Sequence, residues 1–135
     1  MIQNLNKKHT GFTLVELLVV IAIIGLLSTI VLVSFGPVRN QARDTAIKAN
    51  LSQMRLAAEI AYANNGTYTG ANTGTDFNAA KTAITAAGGA VTELFNATNF
   101  CINSTLLFDS AATWCIDSTG HIGNSPGGCT AQICQ

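Results

Sequence analysis

The sequence predicts an α+β chain: a long N-terminal α-helix, half apolar and half amphipathic, with a small C-terminal antiparallel β-sheet packed on its outer half. Three observations predict it. From Leu17 to Val33 there are 17 residues without a charge, the lower limit for a helix crossing a ~30 Å hydrocarbon core. Beyond them Ile47, Leu51, Met54, Ala58 and Ala61 recur at steps of four, three, four and three, which makes one apolar stripe along a helix. After Gly89, short runs rich in Val, Ile, Phe and Thr alternate with turn residues, the pattern of short strands.

Phe12 to Val15 lengthens the apolar run but places Glu16 inside it. A carboxylate at membrane depth costs roughly 2.5–3.5 kcal/mol on insertion scales, so it calls for a partner and a purpose. Lys7 and Lys8 precede the run and no basic residue follows until Arg39. By the positive-inside rule the leader is cytoplasmic and the rest is exported. Met1 to Gly11 reads as a targeting segment and is set apart from the fold.

A polar, basic leader, then Gly11, then Phe12-Thr13-Leu14-Val15-Glu16 and an aliphatic run resembles the class III signal of type IV pilins and type II secretion pseudopilins. The resemblance covers Lys7 to about Tyr68. It implies cleavage by a membrane peptidase between Gly11 and Phe12 and N-methylation of Phe12. Because the cut precedes the apolar run, the mature protein keeps its membrane helix. Glycine suits the cut, since a peptidase needs an unobstructed, extended backbone. Glu16 is implied to pair with the terminal amine of a neighbouring subunit as a filament assembles. The chain then divides into a prepilin leader, 1–11, a transmembrane and assembly half of the helix, 12–36, and an extracytoplasmic pilin-like globular domain, 37–135.

The resemblance implies a structural subunit of a type IV pilus-like filament, without a cofactor. Its partners would be copies of itself, related minor pilins, the prepilin peptidase, inner-membrane assembly machinery and membrane lipid. It would sit in the inner membrane as a single-pass protein, then in a cell-surface pilus. A type II secretion pseudopilin, in a periplasmic pseudopilus, is the near alternative. A signal-anchored monomeric extracytoplasmic binding module is the alternative from another class. One departure stands out: many members carry a proline where this chain has Val33, and Pro37 comes four residues later. Gly25 and Gly36-Pro37 are therefore candidate soft points, with a kink expected at Pro37 rather than a stop.

Composition narrows the class. At 135 residues the chain is one small domain plus an attachment. Removing the leader leaves five basic residues (Arg39, Arg43, Lys48, Arg55, Lys81) against seven acidic ones, a net −2. That balance offers no nucleic-acid-binding face. The two histidines are His9, in the leader, and His121, and no nucleophile, base and orienting group recur at catalytic spacing. No enzyme is expected.

Within the amphipathic half, Arg39, Arg43, Asp44, Lys48, Arg55 and Glu59 are read as lying off the stripe, with Asp44 and Lys48 forming an exposed i,i+4 pair. Asn64-Asn65-Gly66 should end the helix. Asp76 is expected to cap a short helix from Phe77 to Ala87, closed by Gly88-Gly89, with Phe77, Ala80, Ile84 and Ala87 buried. Strands are expected at Val91 to Phe95, Asn99 to Ile102 and Thr113 to Asp117, with a turn at Asp117-Ser118-Thr119-Gly120 and a short return at His121-Ile122. Asn124 to Gly128 reads as a loop and Cys129 to Gln135 as a tail.

Cys101, Cys115, Cys129 and Cys134 lie in the exported segment, an even count that reads as two disulfides. Three connectivities are possible. Closing local loops favours Cys101–Cys115 with Cys129–Cys134. A metal site is the alternative, but no Cys-x-x-Cys pair supports it. Asp109 and Asp117, with Ser118 and Asn124, are weak calcium candidates at spacings unlike a defined loop. Thr10 and Thr13 could each cap the start of the helix. Trp114 and Tyr68 read as core or seam aromatics.

Overall fold

The computed structural model describes residues 11–135, with the backbone alone at 32–34. Helix α1 runs Leu14–Asn65 and continues through Pro37. Contacts divide the chain into two units, Met1–Gly36 and Pro37–Gln135. In the first, Leu14–Val31 is long and apolar enough to cross a membrane, with a mean hydropathy of 2.8.

The second unit is built on the C-terminal part of α1. Ile47, Leu51, Met54 and Ala58 are fully buried, and Ala61 is half-buried, so the predicted stripe is the core face. Each large side chain among them contributes about 1.5–3 kcal/mol by leaving water. Gly66, at φ 70°, takes the left-handed conformation that ends the helix, and its N–H donates to the Tyr62 carbonyl at 2.7 Å. A 3-10 turn, Ala71–Thr73, precedes α2, Thr75–Ala87.

Phe77, Ala80 and Ile84 of α2 are buried as expected. The start of α2 differs from expectation: Gly74, not Asp76, occupies the cap, and Asp76 lies in the first turn, where its charge suits the helix dipole. Gly88 closes α2 at φ 101°, and its N–H and that of Gly89 turn back to Thr85 and Ile84. At Gly89 an added Cβ would stand 2.6 Å from Ser104 Oγ and 2.8 Å from Ile84 Cγ2. No larger residue fits there without moving the core.

Four antiparallel strands follow in the order β1 (Val91–Phe95), β2 (Phe100–Thr105), β3 (Thr113–Asp117) and β4 (Ile122–Asn124). This is the small antiparallel sheet that the sequence predicts. β1 and β3 fall where expected, and β4 supplies the return after the Asp117 turn. β2 begins one residue later than expected and extends through Asn103-Ser104-Thr105. Its polar end conceals a strand because Ser104 is fully buried, against Gly89.

Register sets the two faces of the sheet. Val91, Glu93 and Phe95 stand opposite Ser104, Ile102 and Phe100, and Ile102 stands opposite Ile116. Phe100, Ile102 and Ile116 are fully buried in the core shared with α1 and α2. The alternate positions, Cys101, Asn103, Cys115 and Asp117, belong to the far face. That face is covered in turn: β5 (Cys129–Thr130) and β6 (Ile133–Cys134) form a two-stranded hairpin where a tail was expected.

The disulfides join these two layers. They pair Cys101 with Cys129 and Cys115 with Cys134, at Cα separations of 5.6 and 5.9 Å, not Cys101 with Cys115 and Cys129 with Cys134. The physical reason is the layering. Cys101 and Cys115 sit side by side on β2 and β3, whereas Cys129 and Cys134 face each other on the hairpin above them. Each sheet cysteine bonds across the gap, so a local-loop criterion fails. The clustered sulfurs of Cys101, Cys115 and Cys129 are thereby oxidised, and a disulfide sulfur is no thiolate ligand.

Candidate assembly segment

The start of α1 carries an arrangement that the sequence reading left open. Thr13 Oγ1 accepts the Glu16 N–H at 3.2 Å, while Glu16 Oε2 accepts the Thr13 N–H at 2.9 Å and its hydroxyl at 2.8 Å. This is a reciprocal capping box, which satisfies donors that the first helical turn leaves unpaired. The signal was present in the sequence as Thr13-Leu14-Val15-Glu16, a T-x-x-E pattern ahead of an apolar run. All three bonds use Oε2 or Oγ1, so Oε1 has no partner among the described residues. The acid is thus fixed in position with one oxygen still able to accept.

Gly11 and Phe12 precede the helix in an exposed, non-helical stretch, and Phe12 is 79% exposed. Nothing lies within 4 Å of a Cβ built on Gly11. Thr10, Lys7 and Lys8, with the rest of the leader to residue 10, lie outside the described residues. From Leu14 to Val31 every residue is exposed, a surface that water does not favour.

The remaining sequence candidates are dispersed. Asp109 lies in the β2–β3 loop and accepts the Ala111 N–H at 3.2 Å, while Asp117 ends β3 at its other terminus. Asn124 stands beside Trp114, towards the Asp109 end, and Ser118 bonds to Asn99 and Phe100. The four do not converge. Asp117 is committed to local structure: Oδ1 accepts the Thr119 N–H, the Thr119 hydroxyl and the His121 N–H, and Oδ2 accepts the Cys134 N–H at 2.9 Å. Burial alone would push its pKa up, but these four bonds outweigh that and hold it below the usual aspartate value.

Two aromatics are placed as read. Tyr68 is buried, stacked on Tyr62 at 4.4 Å and edge-on to Phe100 at 4.9 Å, with its hydroxyl donating to Glu59 Oε2 at 3.0 Å. Burial foremost, then the Glu59 carboxylate, pushes its phenol up to about 12. Trp114 is half-buried beneath the Lys48 ammonium, 4.2 Å from the ring centre.

Residues 6–32 match the prokaryotic N-terminal methylation motif, a span that includes Gly11, Phe12 and Glu16. Three relatives extend the likeness. The type IV major pilin protein PilA of Myxococcus xanthus is 30% identical over 67 residues, 50% of this chain and 30% of the relative. The type IV wide pilus major component PilA4 of Thermus thermophilus is 39% identical over 63 residues, 47% of this chain and 48% of the relative. A probable minor fimbrial protein of Dichelobacter nodosus is 39% identical over 66 residues, 49% of this chain and 41% of the relative. Over its N-terminal half the chain is similar to type IV pilins.

The matched stretches span less than half the length of these relatives. No solved structure matches the chain. The methylation motif coincides with the geometry just described, since the matched span holds both the capping box and the apolar helix.

Proposed function

We propose that this chain is a structural, non-catalytic subunit of a type IV pilus-like filament. A prepilin peptidase cuts between Gly11 and Phe12, Phe12 is N-methylated, and the subunit polymerises through its N-terminal helix. The observation that carries the reading is the apolar helix Leu14–Val31, exposed throughout, with an acid at its start that keeps one oxygen open. In a bilayer, lipid covers that helix. In a filament, copies of the same helix from neighbouring subunits cover it, and the freed amine of one Phe12 supplies the cation for another subunit's Glu16. A buried ion pair of this kind serves register, its best-attested use.

Before assembly the subunit waits as a single-pass protein of the inner membrane, with its second unit exported and oxidised. Copies of itself and related minor pilins are its partners in the fibre, and inner-membrane machinery drives assembly. The pilus names of the relatives support a surface fibre. Intact mass with N-terminal sequencing, on sheared surface material and on membranes separately, tests the reading. A chain beginning at methylated Phe12 in the sheared fraction is the expected result. The same processed chain confined to membranes would assign it to a secretion pseudopilus, and a chain still beginning at Met1 would overturn assembly altogether.

A further inference from the structure

Glu93 is an acid on the wrong face of its strand. It stands between Val91 and Phe95 on the core side of β1, opposite Ile102, and both of those neighbours pack against the core. Helix α2 lies against the same residues, with Phe77 edge-on to Phe95 at 5.7 Å. Oε1 of Glu93 accepts from Lys81 Nζ at 3.1 Å and from Asn72 Nδ2 at 3.2 Å. Oε2 is buried and has no hydrogen-bond partner among the described residues. A buried acceptor left unsatisfied is costly, and a structural ion pair alone gives no reason for the third group.

Three elements thus bring an amine, a carboxamide and a carboxylate to one point: α2 supplies Lys81, the 3-10 turn Asn72 and β1 Glu93. We propose that Lys81 and Asn72 join in an amide bond formed by the chain itself, with Glu93 as the catalytic acid and base. The Lys81 ammonium passes a proton to Glu93 along the hydrogen bond that joins them. The neutral Nζ then attacks Cγ of Asn72. The Nζ–Cγ bond forms, Glu93 hands its proton to Nδ2, the Cγ–Nδ2 bond breaks and ammonia leaves. The carboxylate then takes one of the two protons still on Nζ, leaving a neutral amide N–H, and passes it to the departing ammonia, which leaves as ammonium. One carboxylate oxygen already touches both the nucleophile and the leaving group, the geometry that a proton shuttle needs. The Lys81 side chain is 40% exposed, which opens a path for ammonia to solvent. No oxidant or cofactor enters the balance.

The bond would strap the segment ahead of α2 to the middle of that helix, whether or not the chain polymerises. The test is the intact mass of the full-length protein, with Lys81→Arg and Glu93→Gln variants. The native chain is expected to lack one ammonia and to resist trypsin after Lys81. Cleavage before Asp76, which separates residues 72 and 81, should leave the two fragments joined. Both variants should show full mass and no joined fragments; Lys81→Arg keeps the charge should Glu93→Gln fail to fold. Free Lys81 in the native chain overturns the proposal. So does an ammonia loss that persists in Lys81→Arg, which would move the chemistry to the Asn65-Gly66 bond.

Discussion

The carboxylate of Asp44 accepts the backbone N–H of Leu107 at 2.6 Å, and its second oxygen accepts that of Phe108 at 3.0 Å. Asp44 is buried, so a helix acid anchors the start of the β2–β3 loop. The loop then closes on itself through Leu106 N–H to the Ala112 carbonyl and Ala112 N–H to the Asp109 carbonyl. Hydrogen bonds to an ionised acceptor are the strong ones. Asp44→Ala leaves two N–H groups without their acceptor and should cost roughly 3 kcal/mol, whereas Asp44→Asn, which keeps one acceptor, should cost less. Denaturant midpoints of the full chain in detergent would check both, and equal midpoints for Asp44→Ala and the native chain would refute the anchor.

The expected Asp44–Lys48 pair is absent for the same reason. Asp44 lies three residues before Ile47 and so extends the buried stripe, a fact legible from spacing but overridden by its charge in the sequence reading. Its partners were not legible, because they are backbone groups in a loop 63 and 64 residues away. Lys48, released from the pair, lies over Trp114 instead. The stripe itself, the ends of α1 and α2, and three of the four sheet strands were readable because local periodicity and turn residues determine them. Gly11, Phe12 and Glu16 fall within the span that matches the N-terminal methylation motif. Thr13 was readable only as one of two possible caps, beside Thr10, since a threonine before a helix is common and only the reciprocal bond with Glu16 distinguishes it.

Disulfide pairing was not legible, because it depends on a layer that no local signal announces. Non-reducing peptide maps should give Cys101 with Cys129 and Cys115 with Cys134, and any Cys101–Cys115 peptide would contradict the layered arrangement. The bridges span sequence separations of 28 and 19 residues. Loop-closure entropy gives each about 3 kcal/mol, slightly more for the longer one. Replacing either pair with serines should therefore lower the denaturant midpoint by similar amounts. Cys115→Ser with Cys134→Ser should also free the hairpin end that Asp117 holds, visible as faster amide exchange at Cys134.

Asp117 ties stability to pH with a definite sign. Its folded pKa is below the ordinary aspartate value because its hydrogen bonds outweigh burial. The contribution is therefore complete above the unfolded pKa of about 3.9 and is lost as pH falls through the lower folded value. Thermal midpoints between neutrality and strong acid should decline below about pH 4 in the native chain. Asp117→Asn should flatten part of that decline and lower the midpoint at neutral pH, because an amide nitrogen would then face either the Cys134 N–H or the Thr119–His121 donors. An unchanged acid limb in Asp117→Asn would remove Asp117 as its source.

Glu16 caps α1, and the proposed function gives it a second, separable duty, offering a charge to a neighbouring subunit. Glutamine serves in a capping box but carries no charge. Glu16→Gln should therefore keep leader processing and the helix start intact while removing the ion pair. Breaking a buried pair costs roughly 3–5 kcal/mol, so sheared surface fibre should fall at least about tenfold. Thr13→Ala removes the cap at about 1 kcal/mol and keeps the charge, so its fibre yield should fall less. Immunoblots of sheared and membrane fractions, with N-terminal sequencing for processing, would compare the three chains. Native fibre yield from Glu16→Gln would show that the cap, and not the charge, is what assembly requires of this residue.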